Sequence, residues 1–171
     1  MPMTEADSFR DGMRRLAAAV NIVATMSDDK PCGLVATAVC SVSAEPPMLL
    51  VCINRSAGSF SEIDRARCFS VNVLRESQYG LAKKFFESER TRRFDHVDWM
   101  RMKTGAPAIA DALASFDCRV EQTIEAGSHG IFIGRVVGVR TCEVNNPLLY
   151  FNGNYAVLRS LPSDAVPMGA A

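Results

Sequence analysis

Histidine is scarce in this chain, with two copies among 171 residues, and the six cysteines at 32, 40, 52, 68, 118 and 142 include no Cys-x-x-Cys pair. That pattern excludes the ligand spacings of structural zinc sites. Glycine-rich phosphate loops, Gly-x-Ser-x-Gly elbows and His-Glu-x-x-His helices are missing as well. Dinucleotide folds, P-loop enzymes, serine hydrolases of the elbow type and zincins therefore lack their signatures. Net charge is lacking too: 19 Lys and Arg balance 19 Asp and Glu, so no global positive field attracts nucleic acid. Nowhere do 18 apolar residues run together, and the opening MPMTEADSFRDGM has neither the basic region nor the apolar stretch of a secretory leader. A cytoplasmic protein with neither a membrane nor a nucleic-acid partner is expected, its thiols reduced.

What is present is an ordinary globular balance, 48% apolar and 22% charged, enough for one folded domain. The domain is expected to span 1–171, with its core at about 9–158 and a flexible tail at 162–171. Ser8 with Asp11 suggests a helix start, and Phe9, Met13, Leu16, Ala17 and Val20 recur at helical spacing, predicting a helix that buries one face. NIVATMS and CGLVATAV, joined by DDKP, predict a hairpin. PMLLVCIN and CFSVNVL add strands, with SAGSFSEIDRAR as a short helix between them. ESQYGLAKKFFESERTRRF is expected to be helical after Glu76, and HVDWMRMKTGAPAIADAL to be loop.

The last third is the clearest. SFDCRVEQTIEA alternates as a strand with one wet face does. HGIFIGRVVGVRTCEV is apolar at nearly every position and is expected to be covered on both faces, with Gly134 and Gly138 marking bends or bulges. PLLYFNGNYAVL predicts two short strands about an Asn-Gly-Asn turn. Six or seven strands and a few helices without strict alternation predict a mainly β protein, an antiparallel small barrel.

With so few titratable candidates, a bound cofactor is the economical source of chemistry. The small residues Thr37 to Ser43 let a flat ring lie against the backbone, with main-chain amides and the Thr37 and Ser41 hydroxyls at its polar edge. Asn54-Arg55-Ser56 ends a strand and opens a helix, where amides and an arginine suit an anion; fifteen of the 19 basic residues are arginine. Each segment has a plainer alternative: a tightly packed strand, a capped helix. His129 can equally be a solvent-facing strand start, Lys83-Lys84 and Arg90 to Arg93 a solvated helix face, and Trp99 a packing residue.

Taken together, FRDGMRRLAAAVNIVAT, GLVATAVCSVSAEPPMLLVCINRSAGSF, CFSVNVL, ASFDCRVEQTIEAGSHGIFIGRVVGVR and PLLYFNGNYAVL resemble, in order and spacing, the flavin reductase components of two-component flavin-dependent monooxygenases, the 4-hydroxyphenylacetate 3-monooxygenase reductase type. The resemblance runs from about Phe9 to Leu158. It implies a homodimeric FMN-binding split β-barrel of Greek-key type that reduces FMN or FAD with NADH or NADPH and supplies diffusible reduced flavin to a separate monooxygenase. It implies further that Ala36, Thr37, Ala38, Val39, Cys40 and Ser41 line the flavin ring, and that Asn54, Arg55, Ser56, Ala57 and Phe60 hold the ribityl phosphate. Asn72, Lys83 and Phe86 complete that pocket. The nicotinamide side falls to Gly127, Ser128 and His129, matching the family's Gly-Asp-His with serine in place of aspartate, and to Tyr155; His129 is the expected catalytic residue, orienting first and supplying a proton second. Other readings are a flavin-binding sensor or store that does not turn over and a flavin-free dimeric interaction barrel. A pyridoxamine-phosphate-oxidase-like enzyme shares the barrel but fits the GSH and YFNGNY motifs less well.

Overall fold

A computed structural model describes residues 3–143 and 146–161. The expected tail at 162–171 lies outside the described residues. A helix α1 (Glu5–Met13) is followed by β1 (Ala18–Ala19), β2 (Asn21–Ser27), β3 (Lys30–Ala36), β4 (Val39–Ala44) and β5 (Pro47–Asn54). Next come α2 (Gly58–Ala66), β6 (Cys68–Val73), α3 (Tyr79–Glu87), β7 (Trp99–Arg101) and β8 (Pro107–Ile109). Two long strands, β9 (Ala114–Ala126) and β10 (His129–Thr141), precede the terminal hairpin of β11 (Leu148–Phe151) and β12 (Asn154–Val157). Single 3-10 turns at Glu76–Gln78 and Arg90–Arg92 flank α3.

Seven strands form one antiparallel sheet in the order β3-β2-β6-β9-β10-β5-β4. Its two edge strands, β3 and β4, are consecutive in the chain and joined by Thr37 and Ala38 alone. The sheet must therefore curl until its edges meet at that corner, where Cys52 N donates to Ala38 O at 3.0 Å. No ladder of bonds joins β3 to β4, so the barrel is split rather than closed. Inside the curl lie Val23, Val51, Ile53, Phe69, Val71 and Phe132, each no more than 1% exposed, and α2 covers them with Ile63. Removing side chains of this size from water contributes about 2 kcal/mol each.

Turn chemistry sets the hairpins. Asp28 and Asp29 at φ 47° and 60°, and Asn152 and Gly153 at φ 50° and 80°, supply the two successive positive angles that tight hairpins need. The predicted bulges are there: the register of β9 against β10 shifts between Ile133 and Gly134 and again between Val136 and Gly138. Gly134 is required by packing, since a Cβ at that position would lie 2.7 Å from Phe69 Cζ and 2.9 Å from Cys118 Cβ.

A second layer stands on the barrel. β1, β11 and β12 form a three-stranded sheet. It is stitched on by Val20 N to Leu148 O, Leu148 N to Leu74 O and Leu74 N to Val20 O, all at 2.9 Å. Val20, Leu74, Ala82 and Phe85 are buried here, so α3 packs one face on this layer.

Three expectations need correction. The first helix starts earlier, with Thr4 and Asp7 capping each other's backbone, and stops at Met13; the residues from Ala18 turn to strand because β11 offers them a partner. Nor does that helix bury a face: none of its residues is buried, and Phe9 and Met13 are 68% and 49% exposed. Second, the segment expected to be loop contains the β7–β8 hairpin, held to the barrel by Asn72 and Ser70. Third, β10 is covered on one face only: Gly130, Phe132 and Gly134 are buried, whereas Ile131 and Ile133 are half-buried and Val139 is 53% exposed.

Candidate functional site

The corner where the barrel edges meet makes the first half of the site. Ala36 ends β3 buried and Thr37 follows it exposed, and together with Val20 and Val35 they floor a cleft of about 400 Å³. Phe86, Tyr150 and Tyr155 wall it. Because α3 turns Ala82 and Phe85 into the core, its next residue, Phe86, is carried round to solvent and left 79% exposed beside the cleft. Tyr155 is held by edge-to-face contacts with Tyr79 and Tyr150, centroids 5.0 and 5.6 Å away. Burial, and then the neighbouring Tyr150, Tyr79 and Glu87, keep its phenol protonated above the ordinary range.

From Thr37 the chain crosses Ala38 into β4, where Val39 is half-buried and Cys40 and Ser41 are exposed. Cys52, bonded to Ala38, sits two residues before Asn54. The Ala38–Cys52 bond at the end of the β4–β5 ladder therefore sets the first cluster beside a second, while β4 carries Cys40 and Ser41 away from Asn54, opposite Leu50 and Leu49.

That second cluster is built by main-chain bonds. Asn54 Oδ1 accepts from Ser56 N at 2.9 Å and from Ser56 Oγ at 2.8 Å, and Ala57 N returns to Asn54 O at 2.9 Å. Asn54 pairs with His129 across β5 and β10, and Arg55 N donates to Ser128 O at 2.9 Å. Gly127, at φ 58°, makes the turn that brings Ser128 and His129 here, and Ser128 Oγ lies 2.9 Å from His129 Nδ1. Arg55 reaches Glu125 at 2.6 Å. The imidazole and both polar segments are exposed.

The next residue after Ala57, Gly58, opens α2. A Cβ on it would collide with the guanidinium of Arg90, which lies across the helix start and 3.7 Å from Glu62. This end of the site thus holds two arginines and the Gly58 amide at a helix N-terminus, the amides of Ser56, Ala57 and Phe60 being bonded within the turn.

The structure brings Ala36, Thr37, Phe86 and Tyr155 into one cleft and joins Asn54, Arg55, Ser56, Ala57, Gly127, Ser128 and His129 into one corner, with Ala38 beside Cys52 between them, whereas Val39, Cys40 and Ser41 run away from that corner, opposite Val51, Leu50 and Leu49. Three residues lie elsewhere. Asn72 is fully buried: its amide donates to Ile22 O, Ser70 Oγ and Pro107 O, and its oxygen accepts from Ile109 N and Ser115 Oγ. Phe60 is a packing ring, lying over Gly130 with its centroid 5.0 Å from that of Phe132. Lys83 stands one turn before Phe86 on α3 but faces Glu87 at 3.7 Å and does not line the cleft. Reading the sequence left Arg90 on a solvated helix face and did not single out Tyr150 or Gly153, which line the cleft. The two tyrosines could have been paired from the YFNGNY turn, whereas nothing local marks Arg90.

The chain matches the flavin reductase like domain over residues 13–159. It is 41% identical over 152 residues to RutF, an FMN reductase (NADH) of Acinetobacter baylyi, covering 88% of this chain and 81% of that one. Nitrilotriacetate monooxygenase component B of Mycobacterium thermoresistibile superposes with a TM-score of 0.88 at 27% identity, covering 98% and 93% of the two chains. The NADH:FAD oxidoreductase of Streptomyces globisporus, solved with NAD and FAD fragments, gives 0.85 at 27% identity, covering 96% and 99%.

Proposed function

Because this chain belongs to the flavin reductase like domain family, we infer that it is an NAD(P)H:flavin oxidoreductase that reduces FMN with NADH and releases reduced flavin to a separate monooxygenase. The observation that carries the reading is the paired site: a small-residue, aromatic-walled cleft at Ala36 and Thr37, and an arginine-flanked amide corner at Asn54 to Gly58. A flat ring requires the first and a phosphate the second, and both lie at the end of the β4–β5 ladder where Ala38 meets Cys52 and β5 runs out to Asn54. Flavin, when bound, supplies the N5 that accepts a hydride from nicotinamide.

The protein's share is positioning and exclusion of water. Thr37, Ala38 and the exposed start of β4 offer amides and hydroxyls to the ring's polar edge. Phe86 and Tyr155 cover its faces, and the neutral phenol of Tyr155 can donate without placing charge against the ring. Arg55 and Arg90, with the Gly58 amide at the start of α2, neutralise phosphate. His129, tied to the same corner through Asn54 and steadied by Ser128, orients the nicotinamide side and offers a proton from its imidazole. Asn72 acts from the core and shapes the barrel wall.

The protein works as a homodimer in a reducing cytoplasm. The support is the open apolar face of α1 and β10 and six unpaired thiols. No helix among the described residues is long and apolar enough to cross a membrane.

The test mixes purified protein with NADH and catalytic FMN, then FAD, in air, following NADH absorbance in the near ultraviolet. Rapid flavin-dependent loss of NADH is expected, faster with FMN. Flavin retained through desalting without NADH loss would replace the enzyme with a flavin-binding sensor or store.

A further inference from the structure

Beyond the ring-binding cleft lies a second, of about 530 Å³, on the other side of the β11–β12 turn. The two share Gly153 and Tyr155. They therefore adjoin at the β11–β12 hairpin, where the space beside Gly153 is open: a Cβ there would meet nothing within 4 Å. A dinucleotide whose nicotinamide meets a flavin ring at the first cleft can therefore reach the second with its other end.

The second cleft has a distinct chemistry. Leu148 forms its apolar floor, Tyr79 stands 47% exposed at its side, and Asn154 offers an amide. Among the described residues its lining carries one carboxylate, Glu76, and no lysine or arginine. Glu76 takes part in no ion pair or side-chain hydrogen bond among the described residues, its main-chain N–H being the group bonded, to Asn146 O at 2.8 Å. The nearest cations along the chain are turned elsewhere: Arg75 to Asp111 at 3.0 Å and Lys83 to Glu87 at 3.7 Å. An unengaged carboxylate beside an aromatic face suits a neutral ribose diol, which donates to it, and opposes a phosphate ester on the same sugar.

We propose that this cleft takes the adenosine of the reductant and that Glu76 selects NADH over NADPH by accepting from the ribose diol and repelling a 2′-phosphate. The assignment rests on the reductase reading above. Glu76 is a specificity residue, remote from the hydride, so its removal changes KM and leaves kcat with saturating NADH in place.

Two measurements on wild type, Glu76→Gln and Glu76→Arg test it. Calorimetry with adenosine 5′-monophosphate and adenosine 2′,5′-bisphosphate reads the cleft without turnover, and steady-state rates with NADH and NADPH at fixed FMN read selectivity. Wild type should bind the monophosphate more tightly and favour NADH. Glu76→Gln should narrow both preferences about tenfold, the scale of one like-charge contact, and Glu76→Arg should reverse them. Wild type that oxidises NADH, with both ratios unmoved in the variants, would overturn the role of Glu76 and leave the reductase reading standing. Wild type that oxidises no NADH would overturn the reductase reading itself; a calorimetric preference that still followed residue 76 would then uphold the adenosine cleft alone.

Discussion

Asn72 shows how a residue's neighbours decide its work. As part of CFSVNVL it alternates like a strand residue, and its polar side chain resembles a ligand-pocket group. In the fold every polar atom of that side chain is spoken for, binding β2, β6, β9 and the β7–β8 hairpin together. Asn72→Ala would leave a buried amide and hydroxyl unpaired, so we expect a loss of about 2–4 kcal/mol in urea unfolding with the KM for flavin unchanged in the folded fraction. Cys118 is the complementary case, a thiol used as a hydrophobe. Burial, with Asp117 beside it, pushes its pKa up from 9.0 to about 12, and burial pushes Cys32 to about 11. A raised folded pKa favours the thiol form, so this stabilisation is whole below pH 9 and is lost as the pH climbs toward 12. The urea midpoint should fall between pH 9 and 11, and it should fall less steeply in Cys118→Ala.

Among the elements, the β9–β10 hairpin governs the architecture. Its thirteen-residue strands are too long to remain flat, and the two register shifts bend them around the core. Gly134 lets the bend press against Phe69 and Cys118. Gly134→Ala should therefore cost about 1–3 kcal/mol through overpacking, seen as a lowered thermal midpoint. This element was legible from its alternation and glycines. The β7–β8 hairpin was not, because its three-residue strands carry no period and owe their form to buried bonds from Ser70 and Asn72. The first helix was misplaced for a similar reason: the apolar residues that extend its pattern to Val20 join a strand partner about 130 residues later in the chain.

For the whole molecule, the surface left open matters as much as the core. Phe9, Leu16, Val139, Val157 and Leu158 are each more than half exposed, an apolar area that a lone chain would hold against water. Light scattering should give twice the 18.6 kDa chain mass. Leu16→Glu should move the population toward monomer, because a charge set into an apolar contact is costly. The burial of both faces of β10 suggested by its composition belongs to the same expectation: its outer face is apolar but part-exposed, and a second chain would cover it.

The long strands, the turn residues, the mainly β class and the two candidate ligand segments were all local facts, written in alternation, Asp-Asp and Asn-Gly pairs, and short runs of small or polar residues. Local chemistry determines them because a strand's period and a turn's φ angles are satisfied within a few residues. The tertiary structure alone decided that Thr37 stands against Phe86 and Tyr155, that Arg90 lies on Gly58, and that Asn72 and Phe60 belong to the interior. Those facts depend on where a curled sheet brings its edges and which face of each element the core claims, and both are settled by packing across the whole chain.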